Sequence, residues 1–194
     1  MKNVQEPTYS FVILTLILIV VDTFLAWISV KLIPAAGGSV SLVYIAVAFM
    51  ILFTLWFGAY GAIAAYVGTL LGSGLLGSDA FSQHPEIALV WAIAGLLQVL
   101  IPLVAVRSFE VDLSLENPRD LTYVLLFGVI VNNIVGAAWG AWTLALAEPV
   151  NLGSVFATWL IGNIIVTILI VPVVLKRLTP RIQKSRFFVK YYWD

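Results

Sequence analysis

The sequence predicts an all-α membrane protein, a polytopic bundle of about six transmembrane helices with both termini in the cytoplasm. Hydrophobic residues make up 62% of the 194-residue chain and charged residues only 10%, and the mean hydropathy is +1.06, far above the range of soluble domains. The apolar residues form segments of about 20 residues, the length that a helix needs to cross a bilayer. The basic residues are skewed to one side of these segments, which indicates their orientation.

Six apolar segments are predicted to span the membrane. Residues 11–32 form the first. Residues 39–77 contain no charged residue and are too long for one span, so they predict a hairpin that turns near residues 58–61 and supplies two spans. The other three spans are predicted at residues 87–106, 121–146 and 155–175. The connections are short and carry Pro and Gly, which is typical of turns between membrane helices.

The distribution of Lys and Arg predicts that both termini are cytoplasmic. With six spans, one basic residue, Lys31, falls on the side opposite the termini. Cytoplasmic loops are enriched in Lys and Arg, so the side of the termini is predicted to be the inner one. The basic residues on that side are Lys2, Arg107, Arg119, Lys176, Arg177, Arg181, Lys184, Arg186 and Lys190.

Two parts of the chain are distinguished, a single integral membrane domain over residues 1–178 and a basic aromatic cytoplasmic tail over residues 179–194. The chain has no cysteine and one histidine, His84, which is too few ligands for a metal site. Nucleophile-elbow and glycine-rich phosphate-loop patterns are missing from the sequence. We therefore expect no enzymatic activity, no cofactor and no metal.

A few polar side chains inside the predicted spans are the candidates for ligand binding, because polar groups are costly in hydrocarbon and tend to face a partner, a cavity or a ligand. Counting along each helix places Asp22, Gln98, Asn132 and Asn163 near mid-depth, so they are expected to form one polar layer. Hydrogen bonding between helices is the alternative role for the amides. The full set of candidates is Asp22, Gln98, Asn132, Asn133, Trp139, Trp159, Asn163 and Thr167.

Asp22 is the intramembrane carboxylate of this set, and no other predicted span contains a Lys or Arg that could pair with it. An unpaired carboxylate at mid-bilayer costs roughly 2.5–3.5 kcal/mol. The sequence therefore predicts a neutral acid that is hydrogen-bonded to an amide, with a structural bond and a ligand or proton role as the two alternatives.

Glycines and tryptophans occupy repeated positions on the predicted helices. The glycines are interpreted as close-packing positions between helices; they are Gly61, Gly68, Gly72, Gly136 and Gly140. Trp27, Trp56 and Trp91 are predicted to lie in interfacial belts at the span ends. Trp139, Trp142 and Trp159 are expected either to join such a belt or to line a pocket that opens outward.

The tail combines basic and aromatic residues, a composition typical of segments that lie on a membrane surface. Arg181, Lys184, Arg186 and Lys190 are predicted to contact anionic lipid headgroups or, alternatively, a cytoplasmic partner. Nucleic acid is not an expected partner for so short and aromatic a patch beside a membrane.

The last span resembles a known family. Trp159, Gly162, Asn163 and then Pro172 resemble the closing helix of the MASE-type membrane-associated sensor domains of the first class, which commonly show tryptophan, Gly-Asp and an apolar run that ends in proline. The inner loop with Asp112 and Asp120 is also similar. The resemblance implies a multi-helix sensor in the cell membrane that recognises a small molecule. Asn163 replaces the usual aspartate, and the chain shows no output module, so we expect signalling through a separate partner.

A second resemblance leads to a different function. Six helices with short loops, together with the hairpin at Gly58, Gly61 and Gly68, look like the substrate-binding S component of an energy-coupling-factor transporter. This would imply capture of a vitamin or other small solute and a separate membrane coupling subunit. The alanine-rich face that such proteins present on the first span is filled here by Leu, Ile and Val. A non-catalytic membrane scaffold is the third alternative.

Overall fold

The computed structural model describes residues 9–34 and 41–189. Within these ranges the chain is helical, and its β geometry is limited to an isolated bridge between Pro34 and Ser41. The helices are α1 (Tyr9–Leu32), α2 (Ala46–Phe57), α3 (Ala59–Gly68), α4 (Asp79–Gln83), α5 (Pro85–Trp91), α6 (Ile93–Ser108), α7 (Pro118–Leu125), α8 (Asn132–Ala147) and α9 (Leu152–Ile182). The π-helical segment π1 (Thr69–Leu75) continues α3, and π2 (Leu126–Val131) joins α7 to α8.

Four helical units are long and apolar enough to cross a membrane, and they extend over Tyr9–Leu32, Pro85–Ser108, Pro118–Ala147 and Leu152–Ile182. The fold is therefore an all-α bundle compatible with a multi-pass membrane protein. The other two apolar units are shorter, with 12 residues in Ala46–Phe57 and 17 in Ala59–Leu75. At about 1.5 Å per residue, α2 is only about 18 Å long.

The predicted hairpin is confirmed, and Gly58 makes its turn. Gly58 has a φ of 59° and a ψ of −126°, a backbone conformation that is accessible to glycine but strained for residues with a Cβ. Its N–H donates to the carbonyl of Thr54, which ends α2. The chain then reverses directly into α3, so α2 and α3 pack against each other along their length.

The end of the bundle that carries both described chain termini, here called the termini end, is closed by aromatic contacts. The Phe11 ring stacks on Tyr60 with 4.7 Å between ring centroids. Trp56 Nε1 donates to Thr179 Oγ1 at 3.0 Å, which joins α2 to α9. The opposite end, here called the far end, is formed by the end of α1, by α4 and α5, by the end of α8 and by the start of α9.

The connection between α6 and α7 is an ordered part of the termini end. Asp112 Oδ1 accepts from the backbone N–H of Ser114 (2.9 Å), and its Oδ2 accepts from the Ser114 hydroxyl (2.7 Å). These two bonds and one from Gln183 hold the pKa of the Asp112 carboxyl below its usual value, while slight burial opposes them. The loop is therefore tied to the residue that follows α9.

The tail does not begin at residue 179 as a separate segment, because α9 continues as a helix to Ile182. The chain then folds back along the termini end. The backbone N–H of Val189 donates to the carbonyl of Trp56 at 2.9 Å, and the Val189 carbonyl accepts from Arg107. Phe187 contacts the edge of Phe11 at 5.5 Å. Residues 183–189 thus cover the ends of α1, α2 and α6.

The main core surrounds α2, whose side chains are buried on almost every side. Met50, Ile51, Leu52 and Leu55 are all in its centre, and a second, smaller cluster lies at the far end around Phe81 and Trp159. A short helix that is buried on all sides has a fully apolar sequence and not an amphipathic one. This is why residues 39–77 look from the sequence like uninterrupted span material.

Candidate functional site

A cavity of about 30 Å³ lies toward the far end of the bundle, between a group of hydroxyl side chains and a network of amide side chains. One water needs about 10–15 Å³ on the same measure, so the space corresponds to two or three waters. Six parts of the chain contribute to its wall: α1, the segment before α2, π1, α5, α6 and α9. The lining residues are Val30, Ser41, Tyr44, Thr69, Ser73, Trp91, Gly95, Gln98, Trp159 and Asn163.

A non-helical segment, residues 41–45, forms one wall of the cavity. The Ser41 hydroxyl lies 2.7 Å from the carbonyl oxygen of Ser29 and 3.0 Å from that of Ile33. Both residues are too far from Ser41 in the sequence for these to be hydrogen bonds within one helix. The backbone N–H of Ile45 donates to the Ser29 hydroxyl at 3.1 Å. Two serine side chains thus replace part of the missing helical hydrogen bonding. The second helix was predicted from residue 39, and this exchange explains why it starts only at Ala46.

Gly162 of α9 allows this segment to enter the bundle. A Cβ at Gly162 would lie 2.1 Å from the carbonyl oxygen of Leu42, a distance that no methyl group tolerates. Gly162 is 10 residues from the start of α9, so the Leu42 carbonyl lies about 15 Å along the helix from its far end. The non-helical backbone therefore reaches well inside the bundle, where irregular backbone is tolerated if it lines a cavity or is buried in protein.

A wall of hydroxyl groups comes from π1 and faces this segment. Ser73 Oγ accepts from Tyr44 Oη at 3.4 Å and from Trp91 Nε1 at 3.3 Å, and it donates to the Thr69 carbonyl at 2.9 Å. The Thr69 hydroxyl contacts the sulfur of Met50. Single wide turns of π-helix occur often at functional sites, and here the wide turn places two hydroxyls on the cavity side.

The opposite wall is a network of amides that joins α6, α8 and α9. Gln98 Nε2 donates to Asn133 Oδ1 at 2.8 Å, and Asn133 Nδ2 donates to Thr167 Oγ1 at 3.0 Å. Thr167 Oγ1 in turn donates to the Asn163 carbonyl at 2.7 Å. Asn132 contributes through its Nδ2, which donates to the backbone carbonyl of Gln98 at 3.3 Å. These bonds are the interhelical hydrogen bonds expected of membrane amides.

Two buried donors on α9 have no acceptor among the described residues, and both line the cavity. They are Trp159 Nε1 and Asn163 Nδ2, one helical turn apart. Trp159 can lie there because Gly140 of α8 has no side chain, since a Cβ at that glycine would be 2.2 Å from the indole ring. Leaving a buried donor without a partner costs about 1–3 kcal/mol, so such groups mark sites that require an explanation.

Asp22 is buried close to the cavity but does not line it. Its backbone packs against Gly68, where a Cβ would be 2.6 Å from Asp22 Cβ. The expected hydrogen bond from an amide is wrong, because neither carboxyl oxygen has a partner in the part of the chain that the structure describes. The amides that were expected to bond Asp22 bond one another instead, between α6, α8 and α9. The expected single polar layer is therefore divided into two groups, Asp22 and the amide network, and Tyr44 lies between them.

The tryptophans divide differently from the predicted belts. Trp56 and Trp91 are buried, at 3% and 4% exposure, so the expectation that they sit in an interfacial belt is wrong. Short helix α4 places Phe81 against Trp91 (4.3 Å), and Trp91 packs on Trp159 (4.8 Å), which closes the cavity at the far end. Trp27 and Trp142 are exposed, as interfacial residues are.

Trp139 lies beside the aromatic closure and outside the cavity wall. Its Nε1 donates to the carbonyl of Val90 at 2.8 Å, and its ring contacts Trp142 at 5.2 Å. Trp139 therefore has a hydrogen-bond partner, whereas Trp159 Nε1 has none among the residues that the structure describes. The other glycines also allow close approaches: Gly61 meets the backbone of Phe53, Gly72 meets the backbone of Thr23, and Gly136 meets the side chain of Gln98.

Sequence reasoning missed the hydroxyl side of the site. Ser41, Tyr44, Thr69 and Ser73 stand in apolar surroundings, where Ser and Thr hydroxyls commonly bond their own helix and attract no attention. The signal that was available is the cluster of small residues from Gly72 to Gly74, which interrupts an otherwise bulky apolar run.

The tail cations lie apart from the cavity, at the termini end. Arg181, Lys184 and Arg186 are exposed, and Lys190 lies outside the described residues. Among the described residues, no group of three or more His, Cys, Asp or Glu side chains could hold a metal ion. His84 and Glu86 form an exposed pair at 3.4 Å in the far-end connection.

A second depression, of about 640 Å³, lies between α3 and α6 and is lined mainly by apolar side chains such as Ile63, Leu100 and Val104. It offers Arg107 and Tyr66 as its polar residues. Open apolar grooves of this kind are ordinary on lipid-facing surfaces, so the small polar cavity is the better candidate site.

Comparison of the chain with protein-family models, with curated proteins and with solved structures finds no match. The resemblances to sensor domains and to transporter S components thus rest on the residues given above.

Proposed function

We propose that this protein is a cell-membrane receptor for a small uncharged molecule, with six spans and both termini in the cytoplasm, and that it signals through a separate cytoplasmic partner. The observation that carries the proposal is the pair of buried donors, Trp159 Nε1 and Asn163 Nδ2, which have no acceptors among the described residues and belong to two residues that line one cavity.

The membrane placement is supported by length and charge together. The four long helical units cross the bilayer, and α2 with its preceding segment and α3 with π1 supply two more crossings in this proposal. The termini end carries Arg107, Lys176 and Arg177, whereas Lys31 lies near the far end. Because Lys and Arg are enriched on the cytoplasmic side, the termini end is the inner one.

The ligand class follows from the lining. Trp159 Nε1 can only donate a hydrogen bond, so the ligand must present an acceptor. The described residues of the cavity wall include no charged side chain, and an ion would lose its hydration without compensation there. A volume of two or three waters limits the ligand, in this closed form, to a few non-hydrogen atoms.

The route to a partner is α9. This helix carries both unpartnered donors near its start, and at its other end Thr179 bonds Trp56, whose carbonyl binds the tail at Val189. A ligand that shifts Trp159 therefore acts on the same helix that holds the tail. This arrangement favours sensing over a purely structural role, in keeping with the resemblance to MASE-type sensor domains.

The second candidate, an S component of a transporter, is favoured by the position of α1. In its most apolar 18-residue window α1 is only 22% buried, against 39–44% for the other three long units, so α1 lies at the edge of the bundle. A peripheral helix is what a membrane coupling subunit would contact. The contact face is bulky, with Leu16, Ile17 and Val20 exposed, and such a face lacks the small residues that favour close helix packing.

A thermal-shift experiment tests ligand binding. Formamide, acetamide and acetone are small uncharged acceptors, and at the upper limit of about 1.5 kcal/mol per non-hydrogen atom they would bind with Kd values from below millimolar to tens of micromolar. We expect millimolar concentrations of at least one of them to raise the Tm of the purified protein, and to have no such effect on Trp159→Phe. Trp142→Phe, an exposed tryptophan of α8, is the matched control and should keep the response. Equal responses in wild type and Trp159→Phe would refute binding at this cavity.

Hydrogen exchange at the tail tests signalling separately. If α9 transmits binding, the stabilising probe should change the exchange rate of the Val189 amide, whose bond to Trp56 holds the tail. A probe that stabilises the protein and leaves that amide unchanged would support capture of a solute and contradict the sensor proposal.

A further inference from the structure

Asp22 is a buried carboxyl group that the proposed ligand site does not use. It lies midway along α1, is 0% exposed, and packs against Gly68 of α3 so closely that no side chain fits between the two helices. Both of its oxygens lack a hydrogen-bond partner among the described residues. A group in this state is neither a cap nor a link between helices.

Within the described parts of the chain, the surroundings of Asp22 hold no compensating charge. Lys31 is nine residues further along α1, about 13 Å away. Helix α2 and segment π1 contain no ionisable residue. Tyr60 of α3 stacks on Phe11, and the hydroxyl of Tyr66 bonds the carbonyl of Leu89, so neither faces Asp22. Tyr44 is the titratable group close enough to interact with it electrostatically.

An ionised carboxylate in this place would be buried without a cation or a donor, which costs several kcal/mol, whereas the neutral acid avoids most of that cost. We propose that Asp22 is a proton-binding site of the folded protein, and that Tyr44 links its protonation to the cavity. The proton comes from solvent and goes to one carboxyl oxygen, so no other reactant is required. Loss of the proton leaves a buried negative charge beside Tyr44.

Tyr44 is placed to make that link. Tyr44 lies within electrostatic range of Asp22, and its hydroxyl donates to Ser73, which also accepts from Trp91 in the aromatic closure. Ionisation of Asp22 would change the electrostatic potential at the phenol and so alter the strength of its bond to Ser73. The proton site stands by itself, and only its link to the cavity rests on the proposed function.

Infrared spectroscopy tests the proton site directly, because a protonated carboxylic acid has a carbonyl-stretch band that a carboxylate lacks. We expect this band in the wild-type protein at neutral pH, its loss in Asp22→Asn, and its return at a shifted frequency in Asp22→Glu. Asp112→Asn is the matched control, since Asp112 accepts two hydrogen bonds from Ser114 as a carboxylate, and this variant should keep the band. A wild-type spectrum without the band, or a band that persists in Asp22→Asn, would overturn the proposal.

Tryptophan fluorescence tests the link to the cavity. If Tyr44 transmits the change, the emission of Trp91 and Trp159 should shift at the pH where the carboxylic acid band disappears, and Asp22→Asn should abolish that shift. In Tyr44→Phe the band should still titrate while the fluorescence stays constant. Unchanged fluorescence across the wild-type titration would refute the link and leave the proton site intact. Failure of acetone and the amides to stabilise the protein would refute the ligand proposal independently of both spectra.

Discussion

Trp56 and Trp159 are both buried tryptophans at opposite ends of the same bundle. Their indole N–H groups differ in hydrogen bonding. Trp56 Nε1 donates to Thr179 at 3.0 Å and so joins α2 to α9. Trp159 Nε1 has no acceptor in the described part of the chain, although a glycine on α8 has been used to make room for its ring.

The difference separates a structural contact from a candidate recognition group. At the termini end, the hydrogen bonds of Trp56, Asp112 and Val189 connect helices and loops to one another. Near the cavity, the two unpartnered donors lower the stability of the fold, because each of them costs about 1–3 kcal/mol. A fold optimised only for stability would fill or satisfy this place, so the two ends indicate different selective demands.

The contrast depends most strongly on the space that Gly162 provides. Gly162→Ala places a methyl group against the Leu42 carbonyl, and we expect it to lower the free energy of unfolding by about 1–3 kcal/mol and to remove any response to small acceptors. Gly153→Ala, on the same helix with only a distant contact at 3.5 Å, should raise stability by up to about 1 kcal/mol. Measured thermal unfolding that ranks both variants alike would contradict the close contact at Gly162.

Replacing each tryptophan by phenylalanine sharpens the comparison directly. Trp56→Phe removes a hydrogen bond and leaves the Thr179 hydroxyl without its donor, so we expect a loss of about 0.5–1.5 kcal/mol. Trp159→Phe removes an unpartnered polar group, and its loss of ring volume and of N–H desolvation should nearly cancel. Thermal unfolding of the two variants side by side tests this order, and a larger loss in Trp159→Phe would show that its N–H has a structural partner.

Acid should weaken the termini end through Asp112, with the smallest effect of the three. The pKa of Asp112 is lower in the folded protein than its ordinary value of about 3.9, so its bonds contribute stability above that value, and this contribution is lost as the pH falls through the folded pKa. The carboxyl is mostly exposed, which keeps the effect small. Between pH 6 and 3, the Tm of wild type should fall slightly more than that of Asp112→Asn. Parallel curves would show that the Ser114 and Gln183 contacts do not stabilise the fold.

Much of the bundle could be predicted from hydropathy, because long apolar helices can be recognised in the sequence by their length. Residues 11–32 match α1 to within two residues, and the turn at Gly58 follows from the position of a glycine in a charge-free run. The non-helical wall at residues 41–45 could not be predicted. Leu42, Val43 and Ile45 are as apolar as any span residue, and the feature that keeps them out of a helix is the exchange of hydrogen bonds with Ser29 on another helix.

The candidate site was predictable for residues that share a helix and not for those that meet across helices. Spacing of four residues placed Trp159, Asn163 and Thr167 on one face of α9, and the structure has them there, toward the cavity and the amide network. Nothing in the local pattern distinguishes Asn163 from Asp22, whose surroundings depend on how α1 packs. Trp91 was misread because the aromatic residue that buries it, Phe81, lies in a helix of only five residues.

The length of α9 makes the protein sensitive to the thickness of its membrane. Its 31 residues extend about 46 Å, whereas the hydrocarbon core of a bilayer is about 30 Å thick. The apolar part of the helix, residues 155–175, is about 31 Å long and matches the core, so the excess protrudes beyond the hydrocarbon with Lys176 and Arg177. Pro172 lies on the termini-end side of the cavity donors and weakens the helix there by removing one backbone bond. A bilayer thinner than this apolar part would tilt α9 or bend it at Pro172, between Asn163 and Thr179, and so would act on the same helix that carries the site.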